Sequence, residues 1–266
     1  MAEILIGTAG WDYKDWVGTF YPKSLERKEH LTYYADYFNV VEVNSTFYSL
    51  PDAMFVERWR ERTPSDFKFI IKVWQEITHN YNDSMLEGRI SEFFYNTQPL
   101  SEKISAFLFQ FPPWFKYSDD HLRKLTRILE EAPSEYRYVV ELRDDSWFTP
   151  NILSQFINGS QIILGTTYIP ACRPYYFEHQ DSYYIRLIGD RELTQFNRIQ
   201  RPQLEALKDL NQKIDELKQK GKEYQIFIIV NNHFAGFAPE SANLLKERFN
   251  LPLKKFNKQR HLTDFI

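Results

Sequence analysis

Five charged residues lie within apolar runs, where their side chains could meet in one place. Glu42 and Glu141 are two carboxylates that could serve as general acid and general base if their neighbours separate their pKa values. Lys72 is the third candidate catalytic residue. Arg143 and Arg186 are candidates for binding, because an arginine fork suits phosphate. Three cations against two carboxylates leave a surplus positive charge, which favours an anionic ligand.

A second set of residues is expected to bind a ligand rather than to react with it. Three are polar residues at the ends of apolar runs, and three are aromatic residues that could stack on a flat ligand. They are Asn44, Gln110 and Asn231, and Trp11, Tyr13 and Tyr48. Backbone amides of the Gly7–Gly10 turn could also approach an anion. Solvation of scattered polar residues, a purely structural Glu–Arg network and aromatic packing beneath loops remain open as alternatives.

Eight short apolar runs read as strands that must position these side chains. They are 4–8, 40–46, 68–74, 106–111, 138–143, 161–166, 183–188 and 225–231. Their apolar continuity is typical of parallel strands buried on both faces. Side chains two residues apart share a face of a strand. In six of the runs, the side chains that share one face are apolar at first and become polar towards the carboxyl end.

Helical patterns separate most of these runs. The clearest covers 202–220, with leucine and isoleucine at spacings of three and four, and Ser118 is a candidate cap for another helix. The stretch 167–182 has no helical stripe and predicts a long, helix-poor loop between strands 6 and 7. We therefore predict an α/β fold, a (β/α)8 TIM-barrel-like domain over residues 1–266. An open doubly wound sheet is the alternative, but its glycine-rich phosphate turn is absent.

Composition limits the classes of partner and cofactor. The net charge of −3 excludes a globally basic nucleic-acid coat, although a local basic patch remains open. Cys172 is the single cysteine, so neither an intramolecular disulfide nor a site of paired cysteines can form. The six histidines form no close pair; no cofactor is predicted, and a metal ion remains open. No signal peptide or membrane-spanning run is recognised, which predicts a cytoplasmic protein without a membrane partner. No protein partner can be inferred.

Seven ordered motifs resemble the YecE-like family, also called domain of unknown function 72. They are GTAGWDYKDWVGTFYP (7–22), VEVNSTFYSLP (41–51), TPSDFKFIIKV (63–73), ITH (77–79), LFQFPP (108–113), VVELRDDSW (139–147) and NNHFAGFAP (231–239). The resemblance implies a TIM-barrel-type fold similar to sugar isomerases and apurinic endonucleases, with a sugar phosphate or nucleic acid as ligand. It supplies no established catalytic residue. Ile188 stands where the family usually has histidine, which weakens a metal site.

Three functions follow as hypotheses. The leading one is a cofactor-independent enzyme that acts on a phosphorylated or other anionic small molecule at the carboxyl ends of the strands. The second is a nucleic-acid-binding protein, for example one of a DNA-repair type, with an aromatic and basic cleft. The third is a glycoside hydrolase in which Glu42 and Glu141 are the paired carboxylates.

Overall fold

The computed structural model describes residues 2–256, in which eight parallel strands close into a barrel in chain order. The strands are β1 (Glu3–Ala9), β2 (Val40–Val43), β3 (Lys68–Lys72), β4 (Ile104–Gln110), β5 (Tyr138–Glu141), β6 (Ile162–Tyr168), β7 (Ser182–Leu187) and β8 (Gln225–Val230). The barrel closes because β8 pairs with β1 from Glu3↔Gln225 to Thr8↔Val230. The TIM-barrel-like fold predicted from the sequence is therefore confirmed.

Helices lie between the strands. They are α1 (His30–Ala35), α2 (Ser45–Tyr48), α3 (Ala53–Glu61), α4 (Gln75–Thr78), α5 (Leu86–Thr97), α6 (Asp119–Glu131), α7 (Pro150–Leu153), α8 (Leu204–Gln219), α9 (Asn232–Ala235) and α10 (Ala238–Arg248). Ser118 caps α6 as predicted, since its hydroxyl accepts a 3.1 Å hydrogen bond from the His121 amide. Within the described residues, no helix combines the length and apolar character needed to cross a membrane.

Several predicted boundaries were wrong by a few residues, and three of them have a clear local reason. The helix predicted over 202–220 begins at Leu204, because Gln203 has a left-handed backbone with φ 46°. The strand predicted over 40–46 ends at Val43, because the chain turns into α2 at Ser45. β6 extends to Tyr168 rather than Thr166, because its last residues still pair with β7. The following segment, 169–181, contains no helix, in agreement with the predicted helix-poor loop.

Alternate residues of the strands fill the barrel interior with a compact apolar cluster. Its members are Leu5, Ala9, Val40, Ile70, Ala106, Leu108, Val139, Ile163, Tyr184, Phe227 and Ile229. A larger apolar cluster includes the intervening residues and the helices that cover the strands. Side chains two residues apart share a face of a strand, so the residue two positions after each interior apolar residue also points into the barrel. Val40, for example, places Glu42 inside the barrel, and Ile70 places Lys72 there.

Gly189 follows the carboxyl end of β7, and its backbone lies close to the backbone of His233. Its φ is +80°, and a Cβ there would lie 2.3 Å from the carbonyl oxygen of His233. We expect Gly189→Ala to lower the free energy of unfolding by about 1–3 kcal/mol, because both the dihedral angle and the contact are unfavourable. Denaturant unfolding measures the change.

Gly88 supplies the matched control for this substitution. It lies in α5, and a Cβ added there would meet no atom of the described residues within 4 Å. Gly88→Ala should therefore stabilise the protein by about 0.5–1 kcal/mol through helix propensity. Equal effects of the two alanine substitutions would contradict the contact described for Gly189.

Candidate functional site

Arg186, near the carboxyl end of β7, binds two buried glutamates at once. Its Nη1 donates to Glu141 Oε2 at 2.6 Å, while its Nε and Nη2 donate to Glu42 Oε2 and Oε1 at 2.8 and 2.7 Å. Both glutamates are completely buried, and Arg186 is nearly so. The guanidinium therefore joins β2, β5 and β7 across the top of the barrel interior.

Two more donors complete the hydrogen bonding of the carboxylates. The Tyr184 hydroxyl donates to Glu42 Oε2, and Arg143 Nε donates to Glu141 Oε1 at 2.7 Å. Each of the four carboxylate oxygens thus accepts at least one hydrogen bond. Burial by itself would raise the pKa of Glu141, but Arg186 and Arg143 outweigh it and lower this pKa to about 2. Glu141 is consequently ionised at neutral pH.

The outer edge of the Arg143 guanidinium remains available to a ligand. Its Nε is bound to Glu141, whereas its Nη1 and Nη2 make no hydrogen bond or ion pair with any residue between 2 and 256. The side chain is 9% exposed, so the free edge lies in a largely desolvated position. Two parallel N–H donors in such a position match a carboxylate or phosphate group.

Lys72, the last residue of β3, is buried without an ionic partner among the described residues. The residue is 6% exposed, and its Nζ lies 3.8 Å from the centroid of the Phe47 ring. Burial, reinforced by Arg186 and Arg143 against the opposing effect of the glutamates, lowers the pKa of Lys72 to about 7. At neutral pH about half of this amine is uncharged and able to accept a proton.

Two further residues belong to this region and were not among the predicted site residues. Thr167 is opposite Arg186 in the β6–β7 register, and its buried hydroxyl has no hydrogen-bond partner among the described residues. Side chains two residues apart share a face, so Thr167 lies on the same face of β6 as the interior residue Ile163. It was missed because the predicted strand ended at Thr166, whereas β6 continues to Tyr168. His79, after α4, contacts the Phe47 ring edge-on at 4.8 Å. Burial, together with Lys72 and Arg143, lowers the pKa of His79 to about 4, so its imidazole is neutral.

The other polar candidates contact the protein itself. Gln110 Nε2 donates to the Phe111 carbonyl at 2.7 Å, and Asn231 Oδ1 caps α9 by accepting from the His233 amide at 3.0 Å. Asn44 is half-buried immediately before α2. These contacts show a local structural use for Gln110 and Asn231, whereas Asn44 makes no side-chain hydrogen bond to a described residue.

The aromatic candidates do not form one continuous surface. Trp11 packs edge-on against Trp59 at 5.6 Å. Tyr13 lies 4.9 Å from Trp16, and its hydroxyl donates to the Ala9 carbonyl at 2.6 Å. Tyr48 is instead 70% exposed. Packing accounts for the first two rings, and only Tyr48 of the three presents most of its ring to solvent.

The first loop offers less to an anion than its glycines suggested. The Thr8 amide donates to the Tyr34 hydroxyl at 3.0 Å, and the Gly10 amide donates to the Glu42 carbonyl at 2.8 Å. Metal ligands are also not gathered here: residues 2–256 contain no group of three or more His, Cys, Asp or Glu residues placed to hold a metal ion. The free edge of Arg143 and the Lys72 amine are therefore the two polar groups best placed to meet a ligand.

Comparisons with known proteins agree with the resemblance found in the motifs. The sequence model of DUF72, described as a protein of unknown function, matches residues 5–263. UPF0759 protein YunF of Bacillus subtilis (strain 168) is 24% identical over 93% of this chain and 95% of its own. UPF0759 protein YecE of Escherichia coli O157:H7 is 32% identical over 65% of this chain, and the match spans 62% of YecE.

Solved structures of DUF72 family proteins have the same fold. The structure from Enterococcus faecalis V583 has a TM-score of 0.76 at 23% identity and covers 97% of this chain and 99% of its own. The structure from Thermotoga maritima MSB8 has a TM-score of 0.75 at 26% identity and covers 93% and 99% of the two chains. These structures confirm the barrel fold, and the family model confirms the resemblance found in the motifs.

The substitution Glu141→Gln tests the buried charge network. We expect it to lower the free energy of unfolding by about 3 kcal/mol or more, because Arg143 and one edge of Arg186 lose their charged partner in a buried site. The pKa of Glu141 is lowered below its ordinary value, so its contribution is present above pH 4.5 and is lost as the pH falls towards 2. Urea unfolding at neutral and acid pH measures both effects.

Glu216→Gln is the control for this carboxylate-to-amide change. Glu216 pairs with Lys213 on the surface of α8, where both side chains are substantially exposed. Loss of this pair should cost less than about 1 kcal/mol. If Glu141→Gln were no more costly than Glu216→Gln, Glu141 would not be holding buried cations.

The substitution Lys72→Met tests the unpaired amine. The pKa of Lys72 is about 7 in the folded protein and near 10.5 in the unfolded chain, so the unfolded chain holds the extra proton between these values. Stability of the wild type relative to Lys72→Met should therefore rise as the pH increases from 7 to 10, by up to about 1.4 kcal/mol per pH unit. Parallel urea unfolding curves at several pH values, with exposed Lys116→Met as reference, measure this difference. A pH-independent difference would contradict the lowered pKa.

Proposed function

The chain belongs to the DUF72 family of proteins of unknown function, and we propose that it is an enzyme acting on a small anionic substrate at the carboxyl ends of its barrel strands. The observation that carries the proposal is the unpaired, buried amine of Lys72 beside a charge network that also leaves one edge of Arg143 free among the described residues. A protein interior normally pairs such groups, because an unpaired buried cation is unfavourable. An anionic substrate supplies the missing partner.

The two free groups suit different parts of one substrate. The Nη1 and Nη2 edge of Arg143 can hold a carboxylate or phosphate through two parallel hydrogen bonds. Lys72 can remove a proton from the substrate and return it, because its pKa of about 7 makes both protonation states accessible at neutral pH. This division assigns binding to Arg143 and acid–base catalysis to Lys72, without an organic cofactor or metal in the step.

The glutamates have a positioning role in this proposal. Each carboxylate oxygen already accepts a hydrogen bond from Arg186, Arg143 or Tyr184. A glycoside hydrolase needs a carboxylic acid whose pKa is raised so that it can protonate the leaving group. Arg186 and Arg143 hold the pKa of Glu141 at about 2, which is opposite to that requirement. The contacts therefore favour an anionic substrate over the paired-glutamate hydrolase.

Nucleic-acid binding is less well supported by the side chains. Trp11 and Tyr13 are packed against other aromatic rings, so they offer little free surface to a base. Binding to a long phosphate backbone also requires many cations, whereas the chain carries a net charge of −3. We retain this function as an outcome that the binding experiment distinguishes.

Sulfate binding tests the proposed anion site. Sulfate keeps its charge between pH 6 and pH 8, so calorimetric titration at both values reports protein groups alone. Binding should weaken by up to about tenfold at the higher pH as Lys72 loses its proton, while the arginines remain charged. His79 does not contribute in this range, because burial and the neighbouring cations lower its pKa to about 4.

Arg143→Lys separates the guanidinium fork from its charge. The variant retains a cation beside Glu141 but loses the bidentate edge, so sulfate binding should weaken by about tenfold, equivalent to one charge-assisted hydrogen bond. Arg123→Lys is the control: the Arg123 side chain is exposed on the surface of α6, so this substitution should leave sulfate binding unchanged. Failure to bind sulfate at millimolar concentrations in low salt would overturn the proposal. Tight, steeply salt-dependent binding of a single-stranded oligonucleotide would favour the nucleic-acid function instead.

A further inference from the structure

We propose that Lys72 forms a covalent imine with its substrate, and that the substrate class is a small aldehyde or ketone carrying a carboxylate or phosphate group. The inference rests on the proposed function, but it makes Lys72 a nucleophile in place of a general base, and it adds the bond formed and the substrate chemistry. The amine at the end of β3 would be the nucleophile, and the free edge of Arg143 would hold the anionic end of the substrate.

The first support is a comparison among the buried lysines of the described chain. Lys103 Nζ donates to the Arg60 and Thr63 carbonyls, both at 2.7 Å, and to Thr63 Oγ1 at 3.1 Å. Lys246 Nζ donates to the Tyr37 carbonyl at 2.7 Å. Lys72 is equally buried, but its Nζ makes no hydrogen bond to a described residue. Among these three lysines, Lys72 is therefore the one whose Nζ donates no hydrogen bond to an acceptor within residues 2–256.

The second support is how the surroundings keep this amine unpaired. Glu42 and Glu141 would be natural partners, but Arg186 and Arg143 already hold their oxygens. The Phe47 ring covers the amine at 3.8 Å, which adds an apolar neighbour. Desolvation and adjacent cations are the two conditions that turn a lysine into a nucleophile at neutral pH.

The covalent step balances without an oxidant or reductant. The lone pair of neutral Lys72 Nζ forms a bond to the carbonyl carbon, and the carbonyl π pair moves to oxygen. Nζ gives up one proton and the oxygen takes up one, which gives a neutral carbinolamine. The nitrogen lone pair then forms the C=N bond as the C–O bond breaks; the oxygen takes up a second proton and leaves as water, and loss of the remaining N–H proton gives the neutral imine. The Thr167 hydroxyl has no partner among the described residues, and Thr167 lies opposite Arg186 in the β6–β7 register, so we assign it as the donor to the departing oxygen. Protonation of the imine then makes the adjacent carbon acidic, which suits proton transfer or carbon–carbon cleavage.

Reductive trapping in the full-length protein tests the imine directly. The probes are glyoxylate and pyruvate, each incubated with sodium cyanoborohydride, which reduces C=N to a stable secondary amine. Peptide mass spectrometry should locate the adduct on Lys72 with a yield at least about tenfold above that at any other lysine. A pKa near 7 leaves roughly a thousandfold more neutral amine at pH 7 than an ordinary lysine has. Lys103 is the internal control, since it is as buried but fully hydrogen-bonded.

The dependence on pH and on variants identifies the reacting group. Adduct formation at saturating probe should rise between pH 6 and pH 8, as the amine becomes neutral. The charged or titratable groups around it are Glu42, Glu141, Arg143, Arg186 and His79. The neighbouring arginines lower the pKa of Glu141 to about 2, burial lowers the pKa of His79 to about 4, and the glutamates raise the pKa of Arg186 above its ordinary value, so none of these three groups titrates between pH 6 and pH 8. Arg143→Lys should reduce trapping of glyoxylate at low concentration by about tenfold. Lys72→Arg should abolish the Lys72 adduct while retaining the positive charge.

The outcomes separate the two proposals. Sulfate binding with no trapping of either probe on Lys72 would overturn the imine and leave the anion site in place. Trapping on Lys72 without any dependence on Arg143 would retain the nucleophile and overturn the assigned anion holder. A similar yield on Lys72, Lys103 and the exposed lysines would overturn the imine, because it would reflect ordinary amine reactivity. Absence of both sulfate binding and trapping would overturn the proposed function as well.

Discussion

Arg186 donates to two buried carboxylates at once, and the arrangement of the barrel mouth depends on this shared guanidinium. A carboxylate without a partner would be strongly unfavourable at either glutamate position, because both are withdrawn completely from water. One arginine nearly suffices for both, since its planar group presents donors along two edges. Arg143 and Tyr184 supply the remaining hydrogen bonds. The charges of the network therefore cancel internally, and Lys72 is left outside it.

Much of this arrangement follows from the strand pattern in the sequence. Parallel strands and a period of two residues place Glu42, Lys72, Glu141 and Arg186 on the interior face, given that Val40, Ile70, Val139 and Tyr184 are apolar or aromatic and buried. Gly165 in β6 adds a feature that the pattern of apolar and polar residues in the strands does not reveal. A Cβ there would lie 2.9 Å from Val139 Cγ1 and 3.6 Å from Glu141 Cβ, so the missing side chain leaves room for the side chains of Val139 and Glu141.

The sequence could not predict the pairing within the network, because pairing depends on distances across the barrel rather than along the chain. Arg186 has the same residue type as Arg143, yet its donors are occupied by glutamates while two nitrogens of Arg143 remain free of described partners. Polarity at the end of a strand was also an ambiguous signal, since Asn231 caps a helix and Gln110 binds a neighbouring carbonyl. Thr167 was missed because two residues of β6 were assigned to the loop. Strand ends are where local turn chemistry and pairing compete most closely.

The unpaired state of Lys72 is informative because it opposes stability. A methionine of similar length would fill the same space beside Phe47 without desolvating an amine. The Lys72 amine makes no hydrogen bond to its described neighbours and has only the Phe47 ring in contact with its charge, while desolvation beside cations makes the same amine reactive. Local conflicts of this kind are expected at functional sites, where a stabilising choice would remove the chemistry. The buried network and the reactive amine are thus two consequences of one arrangement: Arg186 satisfies the glutamates, and by doing so it denies Lys72 a partner among the described residues.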